Sequence, residues 1–291
     1  MNFVSLSDRP SYVMHTSGLI LGPGIKIKLY EQALTYIPEN DDVFIVTYPK
    51  CGTTWTQNIL YLAKNNGQPL EMGQNINHYV PHLEDDGKDV VEKLPRPRII
   101  KTHLPFHLIP KNKQAKYIYI ARNPKDCCVS FFHHTKGFKR YNFEDGTFDE
   151  YFELFLSGKV DSGDYFDNLL SWYEHRNDPN VLFLLYEDMK TDIHSCIRKM
   201  GNFLGGSFQQ ATEDSVILDS IVQHSNFDTM KNTPAMWASE RPKHVSPFIR
   251  KGKVGDWRNH FSDEQSKRLD QKFDQKLSGT GAEFLWKNYD C

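Results

Sequence analysis

Apolar positions in this chain follow two rhythms. Val43–Thr47 (VFIVT) and Lys116–Ala121 (KYIYIA) are short runs rich in β-branched and aromatic residues, and residues 98–101 (RIIK) and Val181–Leu185 (VLFLL) repeat the pattern. Asp41-Asp42 and Pro49 bound the first run, and each run reads as a strand buried on both faces. Between them the apolar spacing lengthens to that of a helix. Residues 53–66 group Trp55, Ile59, Leu60, Leu62 and Ala63 on one side before Asn66-Gly67 ends the pattern. Helical patterns also cover 165–175, Ile193–Leu204, 209–223 and 263–276, and Asn123-Pro124 opens another. Strands without polar alternation, interleaved with helices, predict an α/β fold, with a central parallel β-sheet flanked by helices in a single domain spanning 1–291. Residues 67–97 and 233–255 show no clear period. Connections of that length are commonly functional, and both are expected to be flexible flaps.

With 291 residues the chain is long enough to bury a substantial core. Its 35 basic and 37 acidic residues nearly cancel, which removes the broad positive surface of a general nucleic-acid binder. An anionic ligand must then be held by a few placed cations. No apolar run reaches the roughly 18 residues of a membrane span, and the opening MNFVSLSDRP lacks the pattern of a signal peptide. A cytoplasmic protein is expected, with neither nucleic acid nor membrane among its partners. Cys51, Cys127, Cys128, Cys196 and Cys291 form an odd set without CxxC or His-rich metal spacing, which suits reduced thiols and no bound metal. Cys127 and Cys128 would face opposite sides of a strand, or lie about 100° apart on a helix, so they cannot easily share an ion.

The stretch TYPKCGTTW carries the first strand into the first helix. Ligands of parallel sheets bind beyond the carboxyl ends of the strands, and a strand-to-helix turn there offers unpaired N–H groups to an anion. Gly52 permits close backbone approach, Thr53 and Thr54 add hydroxyls, and Lys50 adds a full charge. The phosphate loop of nucleotide-triphosphate enzymes requires G-x-x-x-x-G-K-[ST]. Here Thr47 stands at the first glycine position and Thr53 follows Gly52, so the lysine lies on the other side of the glycine. No acidic residue ends RIIK or KYIYIA to serve as a magnesium partner. The loop is built for an anion rather than for magnesium–ATP.

TYPKCGTTW, KTHLP, ARNPKDCCVSFFH, YEDM and RKGKVGDWR stand in the order and spacing of the cytosolic sulfotransferases, and from about residue 41 to 257 the chain resembles that family. The resemblance implies one α/β domain with a phosphate-binding loop like that of nucleotide kinases. It also implies the donor 3'-phosphoadenosine 5'-phosphosulfate (PAPS), without a metal. By resemblance, Lys50, Lys101, His103 and Ser130 form the catalytic group. His103 would take the acceptor's proton, since an imidazole titrates near pH 6.5. Lys50 would meet the bridging oxygen and Lys101 the sulfuryl oxygens. Cys51, Gly52, Thr53 and Thr54 would surround the 5'-phosphate, with Cys51 in place of the usual serine. Arg122, Ser130, Arg250, Lys251 and Gly252 would hold the 3'-phosphate, which suits the planar fork of arginine. Arg122 and Ser130 are about two helical turns apart if the helix starts at once, so a loop or bend must bring them together. Trp55, Tyr186, Ser225 and Phe227 would contact adenine, although Trp55 and Phe227 also sit in apolar patterns suited to a core.

The acceptor is less sharply implied. His82 and Asp85, in NINHYVPHLEDD, occupy positions that are commonly aromatic in phenol-sulfating members, and His134 and Phe138 follow Ser130 in a second region expected to face the acceptor. A carboxylate in an apolar cleft would pair with an ammonium group, so a phenol or a phenolic amine such as a catecholamine is the expected acceptor. Solvent exposure of Asp85 is the competing reading, and a steroid or aliphatic alcohol is the alternative substrate class. The family's dimerisation motif, K-x-x-x-T-V-x-x-x-E, corresponds to residues 258–267, where Asp263 replaces valine and Lys267 replaces glutamate. A monomer, or a dimer through another contact, is therefore expected. Two rival classes remain: a nucleotide kinase, which lacks its lysine and magnesium partner here, and a non-catalytic bisphosphate-nucleotide binder, which would not need His103.

Overall fold

A computed structural model describes residues 3–237 and 246–289. The chain opens with a three-stranded antiparallel sheet, β1 (Phe3–Asp8), β2 (Ser11–His15) and β3 (Ile20–Leu21), followed by α1 (Ile27–Leu34). These strands are too short and too mixed in polarity for the pattern to reveal them. Next come β4 (Val43–Thr47), α2 (Thr53–Lys64), α3 (Leu83–Asp86), α4 (Lys88–Val91), β5 (Ile99–Thr102) and β6 (Lys116–Ala121). Then follow α5 (Pro124–Gly137), α6 (Phe148–Leu156), α7 (Tyr165–Tyr173), β7 (Val181–Leu185) and α8 (Tyr186–Thr191). The C-terminal third is helical: α9 (Ile193–Leu204), α10 (Gly206–Glu213), α11 (Ser215–Ser225), α12 (Phe227–Asn232) and α13 (Asp263–Leu277). No helix among the described residues is long and apolar enough to cross a membrane.

Strands β4–β7 form the parallel sheet in the order β5-β4-β6-β7. Successive side chains of a strand point to opposite faces, and both faces here are covered. Phe44 and Val46 join Tyr117, Tyr119, Phe131 and Trp172 in one core, whereas Val43 and Ile45 join Ile118, Ile120, Leu60 and Ile197 in the other. That two-sided burial is why the strands read as continuous apolar runs. Aromatic stacking fixes the first layer, with Phe44 on Tyr117 at 4.9 Å and Tyr119 on Trp172 at 5.4 Å between ring centroids.

Two details of the sequence pattern need adjustment. The helix read over 209–223 breaks at Asp214, whose side chain accepts from Val216 and Ile217 N–H and starts a second helix. Residues 67–97 hold a 3-10 turn (Ile76–His78) and two short helices, elements too brief to complete a period. Of the other aperiodic stretch, residues 238–245 lie outside the described residues. Cys127 and Cys128 sit on a helix, and the four cysteines 51, 127, 128 and 196 are free and buried; Cys291 lies outside the described residues.

The turn from β6 into α5 is capped by Asn123, whose side chain accepts from the amides of Lys125 and Asp126, with Pro124 in the first turn. Asp126 then reaches across the chain. Its buried carboxylate accepts from the amides of Gly255 (2.7 Å) and Trp257 (3.0 Å), which seats the 246–259 segment on the start of α5. Asp126→Ala removes both charge-assisted bonds and is expected to lower the unfolding free energy by about 2–4 kcal/mol. Urea denaturation checks this, and an unchanged midpoint would show that water replaces the carboxylate at no cost.

Candidate active site

Strand order reverses at β4, so the loops leaving β4, β5 and β6 open a crevice at the carboxyl edge of the sheet. The loop after β4 turns sharply through two left-handed residues, Lys50 (φ +74°) and Gly52 (φ +104°). Glycine is required at the second by contact as well, because a Cβ there would lie 3.1 Å from the Tyr186 ring. Thr47 Oγ1 and Thr53 Oγ1, 2.7 Å apart, join the strand end to the first residue of α2. The first N–H groups of that helix have no intrahelical acceptor and begin at the wall of a cavity.

Two cavities meet at this loop, and Lys50, Thr53, Thr54 and Phe248 line both. The smaller, about 150 Å³, is also lined by Gly52, Trp55, Arg122, Ser130, Tyr186, Ser225, Phe227, Arg250, Lys251 and Gly252. Arg122 and Ser130 meet there because Arg122 precedes the cap of α5 and Ser130 lies within that helix. Cys51 is the exception. Its thiol is fully buried against Cys127 (Sγ–Sγ 3.7 Å), and burial pushes its pKa well above the ordinary value. Only its main chain belongs to the loop.

The side chains of the small cavity are held in advance. Arg122 donates to the Lys50 carbonyl at 3.1 Å, and its guanidinium stacks 4.5 Å above the Tyr186 ring. Trp55 packs edge-on to Tyr186 at 5.6 Å. Gly252 (φ +60°) passes so close to Phe227 that a Cβ would lie 2.5 Å from the ring. Arg250 and Lys251 each reach Asp256 at 2.7 Å. Burial opposes the Asp256 charge, but the two cations and Asn259 bring its pKa down to about 2. Trp55 Nε1, Ser225 Oγ and Arg122 Nε are buried without a hydrogen-bond partner among the described residues. Buried polar atoms are normally satisfied, so aromatic faces, orphaned polar atoms and separate cations together fit a nucleotide carrying phosphates at two places.

The larger cavity, about 720 Å³, is lined by Lys101, His103, His82, Asp85, His134 and Phe138, all six anticipated, and also by Glu84, Asn77 and Asp161. His103 Nδ1 lies 2.8 Å from the Thr47 carbonyl oxygen. A carbonyl only accepts, so Nδ1 carries the proton and Nε2 keeps its lone pair. Burial, and then the positive charge of His82, push the His103 pKa down to about 3, so the ring is neutral. His82 is the opposite case: burial disfavours its charge, but Glu84 and Asp85 outweigh that and raise its pKa to about 10. Its Nδ1 contacts Asp85 at 2.7 Å and its Nε2 faces Glu84 at 3.5 Å. Asp85 is therefore already paired and is not the lone carboxylate the sequence suggested. Glu84 also accepts the His103 amide at 2.7 Å. Lys101 donates to Asn77 at 2.8 Å, and burial lowers its pKa. Lys50 Nζ lies 3.3 Å from His134 Nδ1 and 4.6 Å from the Phe248 ring centre.

Several contributors escaped the sequence reading. Thr47 was a strand end, Glu84 one acid among three, and Lys190, which lines the small cavity, one lysine among many. None carries a local signal, because their roles come from neighbours distant in sequence. Among the described residues no group of three or more His, Cys, Asp or Glu is arranged to hold a metal ion.

The two histidine shifts act on stability with opposite signs. His103 has a lowered folded pKa, so its contribution is full above about pH 6.5 and is lost as the pH falls toward 3. His82 has a raised one, so its contribution is full below about pH 6.5 and is lost as the pH rises through about 10. Unfolding free energy is expected to decline between about pH 7 and pH 10, and His82→Gln to flatten that decline. Urea titrations across this range check it, and parallel slopes for the two proteins would rule out His82 as the source.

Comparison with known proteins gives a consistent picture. The sulfotransferase-domain profile matches residues 40–281. Sulfotransferase 1C2 of Oryctolagus cuniculus is 40% identical over 272 residues, 87% of this chain and 88% of the relative. The amine sulfotransferase of the same species is 37% identical, with 90% and 89% covered. The crystal structure of mouse sulfotransferase SULT7A1 complexed with PAP superposes with a TM-score of 0.77 at 30% identity, covering 94% of this chain and 96% of that one. With the profile spanning most of its length, the chain belongs to the sulfotransferase family.

Proposed function

We propose that this sulfotransferase moves a sulfuryl group from PAPS to the hydroxyl of a small phenol or phenolic amine, such as a catecholamine, with His103 as general base. Family membership makes the chain a PAPS-dependent sulfotransferase; the acceptor and the residue roles are the proposal. The observation that carries it is the tautomer of His103. With Nδ1 committed to the Thr47 carbonyl and the ring neutral, Nε2 is the nitrogen left to receive the acceptor's proton.

The donor, when bound, supplies an activated sulfuryl group on a phosphate leaving group. Residues of the chain do the rest. Lys50 lies on the wall shared by both cavities, where a cation can offset charge on the departing oxygen. Gly52, Thr53 and Thr54 offer main-chain and hydroxyl donors at the start of α2. Arg122, Ser130, Arg250 and Lys251 supply the cations and hydroxyl for the second phosphate, and Trp55, Tyr186, Ser225 and Phe227 supply the faces and edges for the base. Lys101 lies beside His103 on the acceptor side and would steady the transferring oxygens. The amine within the acceptor class draws support from the 37% identical amine sulfotransferase. A cytoplasmic protein is part of the same reading, and so is a monomer or a dimer through another contact, because Asp263 and Lys267 spoil the family's dimer motif.

Radiolabelled sulfate from PAPS is expected on a phenol or catecholamine in a panel that also holds steroids and aliphatic alcohols, without added metal. Transfer requiring magnesium and ATP would favour a kinase, and nucleotide binding without transfer to any acceptor would favour a carrier. His103→Ala is expected to bind PAP as the wild type does while turnover falls about 10²–10⁴-fold. Undiminished turnover would remove His103 as the base.

A further inference from the structure

Four carboxylates line the acceptor cavity, and they differ in what holds them. Glu84 and Asp85 flank the His82 imidazolium, and Asp86 accepts the His82 amide at 2.8 Å. Among the described residues Asp161, like Asp86, has only neutral donors, but they are side-chain hydroxyls rather than the main chain of its own turn: the Tyr141 hydroxyl at 2.9 Å and the Ser162 hydroxyl at 3.4 Å. Among the described residues no lysine, arginine or histidine forms an ion pair with it.

The surrounding backbone is shaped to keep this carboxylate at the cavity wall. Ser162 adopts a left-handed conformation (φ +67°), and its amide donates to the Ile20 carbonyl of β3 at 2.8 Å. Gly22 leaves the space the carboxylate occupies, since a Cβ there would lie 2.2 Å from Asp161 Oδ2. Facing it are Asp85, which adds to the negative field, and His82 and Arg140, which oppose it. Arg140 is directed to the rings of Phe138 and Tyr141, at 5.2 and 5.8 Å. Burial raises the Asp161 pKa to about 6, against the Tyr141 hydrogen bond. A positive group arriving in the cavity would favour its ionised form.

We propose that Asp161 selects a cationic acceptor, pairing with an ammonium group while the acceptor hydroxyl lies at His103. This rests on reading the larger cavity as the acceptor site of a sulfotransferase. It moves the ammonium partner from Asp85, which His82 already neutralises, to a carboxylate that no described cation pairs with.

Tyramine and 4-propylphenol test it, because a methyl replaces the ammonium in an otherwise matched phenol. Binding to the PAP-loaded protein is measured by calorimetry, and turnover with PAPS alongside. Wild type is expected to favour tyramine, and Asp161→Asn, nearly the same shape, to weaken tyramine binding about 10–100-fold with less than about a threefold change for 4-propylphenol. Equal binding of the two phenols to wild type, or equal losses in the variant, would overturn the assignment and leave the phenol reading standing. Wild-type preference is decisive by itself if the variant does not fold. Binding of neither compound would overturn both readings.

Discussion

One hydrogen bond, from the His103 imidazole to the Thr47 carbonyl, ties the chemistry of this protein to its sheet. Thr47 is the last residue of β4, and His103 follows the last residue of β5, the strand paired beside it. The same threonine touches Thr53 through its hydroxyl, so the proposed base, the loop after β4 and the helix start depend on one residue at the end of a fully buried strand. A strand with apolar side chains on both faces has little freedom to slip, since a one-residue shift exchanges every side chain between the cores. The precision of the site is inherited from that packing.

Net charge imposes a second constraint. A chain at −2 has no surplus of positive surface with which to attract and hold an anion, so its few cations must be positioned individually. Each already has a partner that it can share with a ligand. Arg122 lies between a carbonyl and an aromatic face, Lys50 between an imidazole and a phenyl ring, and Arg250 and Lys251 on a common carboxylate. Carbonyls and rings are weaker partners for a cation than a phosphate, and holding long side chains beforehand reduces the ordering that binding must impose. Asp256 is the counterweight: it orders two cations but remains negative beside them, limiting how strongly an anion is retained.

Much of this was legible in the sequence, and the limits have physical causes. The parallel sheet appeared as uninterrupted apolar runs because both faces are buried. Several candidate donor residues, Lys50 to Trp55, Arg122 and Tyr186, appeared in short motifs because they follow directly from strand ends, whereas Ser225, Phe227 and Arg250 to Gly252 come from the helical C-terminal third and the segment before α13. Cys51 marks where motif reading fails: the motif includes the position, but the side chain turns into the core toward Cys127. The N-terminal sheet and the helices of 67–97 were hidden because runs of two to six residues carry too little periodicity. His82 and Asp85 both line the larger cavity, yet their mutual neutralisation depends on a contact geometry that residue identity does not encode.

The two cavities differ in how they are assembled, and that difference governs what they can specify. The smaller cavity combines the strand ends at Lys50 to Trp55, Arg122 and Tyr186 with residues 225–230 and the short run 248–253. The acceptor side is gathered from β3 and the turn after it, from 75–90, from α5 and the chain beyond it, and from the turn at Asp161. No single stretch defines that wall, so the role of each residue is set by its neighbours. Asp85 and Asp161 show this directly. Both are aspartates facing the same space, but an imidazolium 2.7 Å from one removes most of its appeal to a cation, while the other, among the described residues, meets only hydroxyls. In a confined, weakly screening cavity such local pairing outweighs formal charge. On the proposed assignment, acceptor preference follows from which carboxylate no described cation pairs with rather than from how many are present.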